Sequence, residues 1–174
     1  MNRPECKRAG AEFAGWTKPG RVANDDRMSI VVLYATVSGN AETLAELTVQ
    51  RLGERGLDAT LANVAEFSAV RLQDYDQAFV IASTWGEGAA PPEAVDFFAA
   101  LQGPPSLQLS RLGYAVLALG SSAYPKFCGF GRQLDAALED CGATRLMARV
   151  DCDTKLKADF ERWLDAVAVV AVKP

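Results

Sequence analysis

The residues best placed to do chemistry in this chain carry no charge. Thr36, Ser38 and Asn40 stand in the run TVSGNA (Thr36–Ala41), with Gly39 among them. The run follows an apolar stretch, SIVVLYA (Ser29–Ala35), and leads into a helical pattern. Side-chain donors, a glycine that lets the backbone curl closely and the free N–H groups at a helix start can together hold an anion. No lysine or arginine lies in the run, so an anion there would be bound by neutral dipoles. The same residues would also make an ordinary hydroxyl-rich helix cap, and this run alone does not separate the two readings. Two other anion loops are excluded, because the chain contains neither G-x-x-x-x-G-K-[ST] nor G-x-G-x-x-G.

Two further stretches bring aromatic rings. In STWGEGAAPP (Ser83–Pro92), Trp85 stands next to Gly86 and close to Gly88, which suits a ligand wall better than a core position. LGSSAYPKFCGFG (Leu119–Gly131) is long for a strand-to-helix connection, and long loops are often functional. Of its rings, Phe130 is expected in the core and Tyr124 at an exposed cleft. A phosphate cup beside two aromatic faces fits a flat aromatic ligand with a phosphate tail.

All three runs follow apolar segments, and those segments must place them together. SIVVLYA is a near-continuous apolar run, as a parallel strand buried on both faces should be. Further strands are expected over Ala59–Val64, Gln77–Thr84, Tyr114–Gly120 and Thr144–Val150. Helices are expected over Ala41–Leu52, Pro92–Leu101, Phe130–Cys141 and Leu156–Val172. Strands alternating with helices imply an α/β fold, a doubly wound sheet of five parallel strands. Ligands then bind outside the carboxyl ends of the strands, where the three runs fall. Met1–Arg27 has mixed charge and no periodicity and is expected to be a poorly ordered extension, with the globular domain spanning residues 28–174.

Composition narrows the chemistry. The 174 residues suit one domain with a full core. A net charge of −4 has the wrong sign for a nucleic-acid binder and permits docking to a basic protein surface. No apolar run approaches the ~20 residues of a membrane span. Cys6, Cys128, Cys141 and Cys152 show no C-x-x-C spacing, which argues against a zinc or iron–sulfur site and suits a reducing cytoplasm. Histidine is absent, and with it the commonest general base and metal ligand. Any chemistry is expected to belong to a bound cofactor, with no catalytic side chain and no metal.

With those motifs in place, the chain resembles the flavodoxin family of short-chain type, particularly the FMN domains of diflavin reductases. SGNAE, GEGAAPPEAVDFF and ARVDCD are similar to the sulfite reductase flavoprotein, and LGSSAYPKFCGFG to the nitric oxide synthase reductase domain. The resemblance implies a flavodoxin-like three-layer sandwich with strand order 2-1-3-4-5. It implies FMN as cofactor, with Thr36, Val37, Ser38, Gly39, Asn40 and Ala41 on the phosphate. Ser83, Thr84, Trp85 and Gly86 would line one side of the ring, and Leu119, Gly120, Tyr124, Phe127 and Cys128 the other. Asp151 would bring an acid near the flavin.

The implied role is a one-electron carrier between an NAD(P)H-dependent reductase and a redox acceptor protein. Docking is expected on an acidic flavin edge that includes Glu87, Glu93, Asp151 and Asp153, with the carrier itself a monomer. The rival reading is an enzyme, an FMN-dependent quinone or nitro reductase that uses NAD(P)H directly. GEGAAPP is short and offers no obvious nicotinamide pocket, which favours the carrier. A phosphorylated receiver domain of the same topology is set aside, because no aspartate ends the first strand.

Overall fold

The computed structural model describes residues 28–103, 107–153 and 156–171, so the expectation for Met1–Arg27 lies outside the described residues. β1 (Ile30–Ala35) is apolar along its length because both of its faces are covered. Val31, Leu33 and Ala35 join one core cluster, while Ile30 and Val32 join the other. That alternation is the period-two geometry of a strand with helices on both sides. β3 (Gln77–Ser83) and β4 (Gly113–Leu119) are buried at every residue.

The sheet order is β2-β1-β3-β4-β5, with β2 at Ala59–Asn63 and β5 at Thr144–Arg145, and every pairing is parallel. The chain winds outward in both directions from β1 and β3. Their outgoing loops therefore diverge and leave a crevice at the carboxyl edge. α1 (Asn40–Glu54) and α4 (Leu156–Val170) cover one face. α2 (Val95–Gln102) and α3 (Gly129–Asp140) cover the other. Phe79 and Trp163 meet edge-on at 6.5 Å beneath the α1/α4 layer, and rings of this size contribute about 2–3 kcal/mol each by burial.

The element boundaries agree with the sequence to within a few residues, with three differences. The helix expected from Pro92 begins as a 3-10 turn, Pro92–Ala94, before α2. A second 3-10 segment, Ala69–Asp74, was not expected; it buries Ala69 and Leu72, whose three-residue spacing is the period of that helix. The fifth strand, expected as one run over Thr144–Val150, is split into β5 and β6 (Val150–Cys152).

The split has a physical cause. β5 pairs Arg145 with Tyr114, and β6 resumes by pairing Val150 with Leu117, so the edge chain carries two residues more than β4 opposite it. The slack is held from α3. Asp135, 5% exposed, accepts Arg145 Nε at 2.9 Å and Arg149 Nη1 at 2.7 Å. The Tyr114 hydroxyl donates to the same carboxylate at 3.1 Å. Burial, with the Asp135 charge beside it, raises the Tyr114 phenol above its ordinary range and keeps it a donor.

Asp135→Asn should therefore destabilise the fold by roughly 2 kcal/mol, below the ~3–5 kcal/mol typical of a fully buried pair, because both guanidinium groups still reach water. Urea unfolding of the two proteins side by side measures this. An unchanged midpoint would mean that the carboxylate does not secure the split strand.

Candidate functional site

The three runs singled out in the sequence meet at the carboxyl edge of β1, β3 and β4. The first makes the turn from β1 into α1. Gly39, at φ 85°, occupies the N-cap of α1 in a left-handed conformation that a side chain would strain. No side chain caps this end, so the leading amides and the positive end of the helix dipole stay available to an anion. Thr36 Oγ1 accepts the Gly39 N–H at 2.9 Å and so shapes the turn. Ser38 and Asn40 are exposed, as is the Val37 side chain, whereas the Ala41 side chain is buried under the helix.

One acidic residue turns inward at this point. Glu93 Oε1 accepts the Thr36 N–H at 2.6 Å, and Glu93 Oε2 lies 3.5 Å from Asn63 Nδ2. Glu93 thus ties the start of the first run to β2, and its carboxylate is withdrawn from the docking edge where sequence reasoning placed it. Beside it the Tyr34 hydroxyl donates to Glu42 Oε1 at 2.9 Å. Burial and Glu42 both raise that phenol, so it stays protonated.

The second run is a tight hairpin. Trp85 and Ala89 exchange N–H···O bonds, both 2.9 Å, around a tip of Gly86, Glu87 and Gly88. Gly86 (φ 48°) and Gly88 (φ 90°) supply the left-handed positions the turn requires. The Thr84 N–H donates to the Leu119 carbonyl at 3.0 Å and fixes the hairpin to the end of β4. Trp85 is 49% exposed and Tyr124 62% exposed, so both large rings stand open at the crevice. Ser83 is buried at the end of β3. Thr84 Oγ1 is buried with no hydrogen-bond partner among the described residues, a group that a ligand could satisfy.

The third run returns from β4 to α3. Leu119 is buried, Gly120 and Phe127 are half-buried, and Phe130 is in the core, edge-on to Phe98 at 5.4 Å. Cys128 takes a left-handed φ of 52°. Its thiol points into the sheet and donates to the Ala118 carbonyl at 3.3 Å. Burial, reinforced by the Asp151 charge, pushes that thiol up to about 12, so it is inert at neutral pH. Cys128 can meet a crevice ligand through its backbone only.

Asp151 accepts Arg132 Nη2 at 3.0 Å and Arg149 Nε at 2.7 Å, so its charge is largely compensated. Asp153 accepts the Ser122 N–H at 3.2 Å and the Ser122 hydroxyl, which anchors the third run. Of the four acids expected on the docking edge, Glu87 stands exposed at the hairpin tip and the other three are engaged in the protein. Sequence reasoning missed these engagements because, apart from Arg149 beside Asp151, their partners are distant in the chain. Only the two arginines bracketing LMA (Arg145 and Arg149) hinted at a paired edge.

Uncapped amides, hydroxyls and an orphaned hydroxyl lie beside two open rings, and this donor set suits a phosphate monoester on a flat aromatic system. No cluster of His, Cys, Asp and Glu able to hold a metal occurs among the described residues. Nor is any helix among them long and apolar enough to cross a membrane.

Comparison with known proteins agrees with that geometry. The family model for flavodoxin matches residues 32–163. The sulfite reductase [NADPH] flavoprotein alpha-component of Mannheimia succiniciproducens is 37% identical over 152 residues, 87% of this chain and 25% of the relative. Its Bacillus subtilis counterpart is 36% identical over 138 residues, 79% of this chain and 23% of the relative. The chain thus spans about a quarter of the length of these curated relatives. Among solved structures, the Streptococcus pneumonia TIGR4 flavodoxin superposes with a TM-score of 0.74 at 26% identity, covering 82% of this chain and 97% of that one. Oxidised Flavodoxin 1 from Bacillus cereus gives 0.72 at 26% identity, covering 82% and 96%. The fold, the crevice and the extent of the match agree: the chain belongs to the flavodoxin family, and it is an FMN-binding domain that transfers electrons.

Proposed function

We propose that this domain carries electrons one at a time from an NAD(P)H-dependent reductase to a redox acceptor protein, with FMN seated in the crevice. The observation that carries the reading is the uncapped α1 terminus beside two open aromatic side chains. When bound, FMN supplies the electron-carrying chemistry, and the protein's residues hold and insulate it.

In this reading Val37, Ser38, Asn40 and Ala41 present backbone N–H groups to the phosphate, and Ser38 and Asn40 add side-chain donors. Thr36 contributes by holding Gly39 in place, since its own N–H is engaged by Glu93. Trp85 and Tyr124 cover the two faces of the ring. Ser83, Thr84 and Gly86 border it on one side, Leu119, Gly120 and Phe127 on the other, and Cys128 adds backbone contact. Asp151 serves here through Arg132 and Arg149, whose pairing leaves a near-neutral patch at the β6 end.

The curated relatives are named as NADPH-linked sulfite reductase flavoproteins. This supports a reductase as donor, whether on the same chain or on a separate one. We place the domain in the cytoplasm as a monomer that docks transiently. Buried thiols with no disulfide among the described residues suit that compartment. Docking centres on the exposed rings and Glu87, and charge acts mainly on the association rate. Glu87→Lys should slow reduction by a basic partner about threefold at low salt and very little at 1 M, where the screening length is about 3 Å. Stopped-flow rates equal for both proteins at low salt would place docking elsewhere.

The cofactor assignment has its own test. Purified protein should hold one FMN per chain. Trp85→Ala should weaken FMN about twofold to tenfold, as loss of a stacking contact worth ~0.5–1.5 kcal/mol implies, and should raise the bound flavin's fluorescence. Recovery of stoichiometric FAD, or refusal of added FMN, would overturn the assignment.

A further inference from the structure

The Trp85–Ala89 hairpin is held unequally on its two sides. The Gly88–Ala89 peptide is fixed at both ends. The Ala89 N–H donates to the Trp85 carbonyl at 2.9 Å, and the Gly88 carbonyl accepts Gln133 Nε2 at 2.8 Å. Gly88 is also wedged in place. A Cβ there would lie 2.8 Å from Lys126 Cβ, and a Cβ on Gly129 would lie 2.7 Å from Gly88 Cα. The Gly86 side is the reverse. A Cβ on Gly86 would meet nothing within 4 Å, and neither Gly86 nor Glu87 makes a backbone hydrogen bond among the described residues.

Gln133 is well suited to hold the fixed side. It projects from α3, and its Nε2 also donates to the Gly129 carbonyl at 3.2 Å. Both acceptors are carbonyls, so only the NH₂ end of the amide can face them, and its orientation is determined. Its position is exposed, so replacing it leaves the core intact.

We propose that Gln133 is a positioning residue: it pins the Gly88 leg of the hairpin and confines movement to the Gly86–Glu87 peptide, which sets the hydrogen bonds offered to the edge of the ring. This rests on the FMN reading above. With Gln133 in place, reorientation of the tip needs one peptide to turn. Without it, the Gly88–Ala89 peptide also rocks, and the tip spreads over geometries that serve the ring less well.

The test compares the full chain with Gln133→Met, which keeps the side-chain length and removes the donor. In flavin-free protein, the Ala89 amide should exchange its hydrogen about tenfold faster in Gln133→Met, while the Val116 amide in β4 is unchanged. In FMN-loaded protein, the gap between the two one-electron midpoint potentials should narrow by about 59 mV, a tenfold change in equilibrium constant. FMN affinity should change less than threefold. Unchanged Ala89 exchange would overturn the clamp. Faster exchange with unchanged potentials would overturn its role toward the ring. A parent protein that takes up no FMN would overturn the functional reading instead, and the exchange arm would still decide whether Gln133 pins the hairpin.

Discussion

The uncapped start of α1, in a loop without a basic side chain, sets the terms for the rest of this molecule. The amides that begin α1 can serve a phosphate only if nothing else caps them, and Gly39 at the N-cap leaves them free. Without a lysine or arginine in the loop, a phosphate bound there would keep its charge largely uncompensated. A site that keeps such a charge close disfavours any further negative charge beside it. Glu93, turned toward the same loop, adds to that field. The paired arginines at Asp151 reduce the field at the far end of the crevice. The resulting gradient follows from which acids are paired rather than from the net charge.

The loops must also hold still at their bases. Each is secured by contacts between distant parts of the chain: Thr36 to Glu93, Thr84 to Leu119, Gly120 to the Cys152 carbonyl, and Ser122 to Asp153. α3 continues directly from the third loop and also holds the hairpin, through the Gly88–Gly129 contact and through Gln133. It also approaches β4 so closely that a Cβ on Gly131 would sit 2.2 Å from Ala118 Cβ. A bulky residue at Gly131 would push the helix, and both loops with it, away from the sheet.

Much of this was legible in the sequence, and the reason differs from part to part. The near-continuous apolar runs at β1, β3 and β4 identified a buried parallel sheet, because they are short and alternate with longer helical patterns. The crevice followed from that sheet, since connections leaving the carboxyl ends must gather there. Trp85 and Tyr124 were found as exposed rings because they lie in glycine- and serine-rich loops. The split of the fifth strand was not legible. It depends on Asp135, in α3, pairing with Arg145 and Arg149 of the edge segment that follows, and separations of 10 and 14 residues match no helix or strand period. The inward turn of Glu93 escaped because Thr36 is 57 residues away, and at Asp151 the sequence shows Arg149 nearby but not that the two meet. Charge read along the chain says little about which charges meet in space.

The most direct test of the phosphate cup is a titration of flavin-free protein with FMN and, separately, with riboflavin, which lacks the phosphate. Hydrogen bonds to a charged group are worth ~1.5–3 kcal/mol each, so two of them predict that FMN binds at least about a hundredfold more tightly. Equal affinity for the two flavins would contradict an anion site at the α1 terminus.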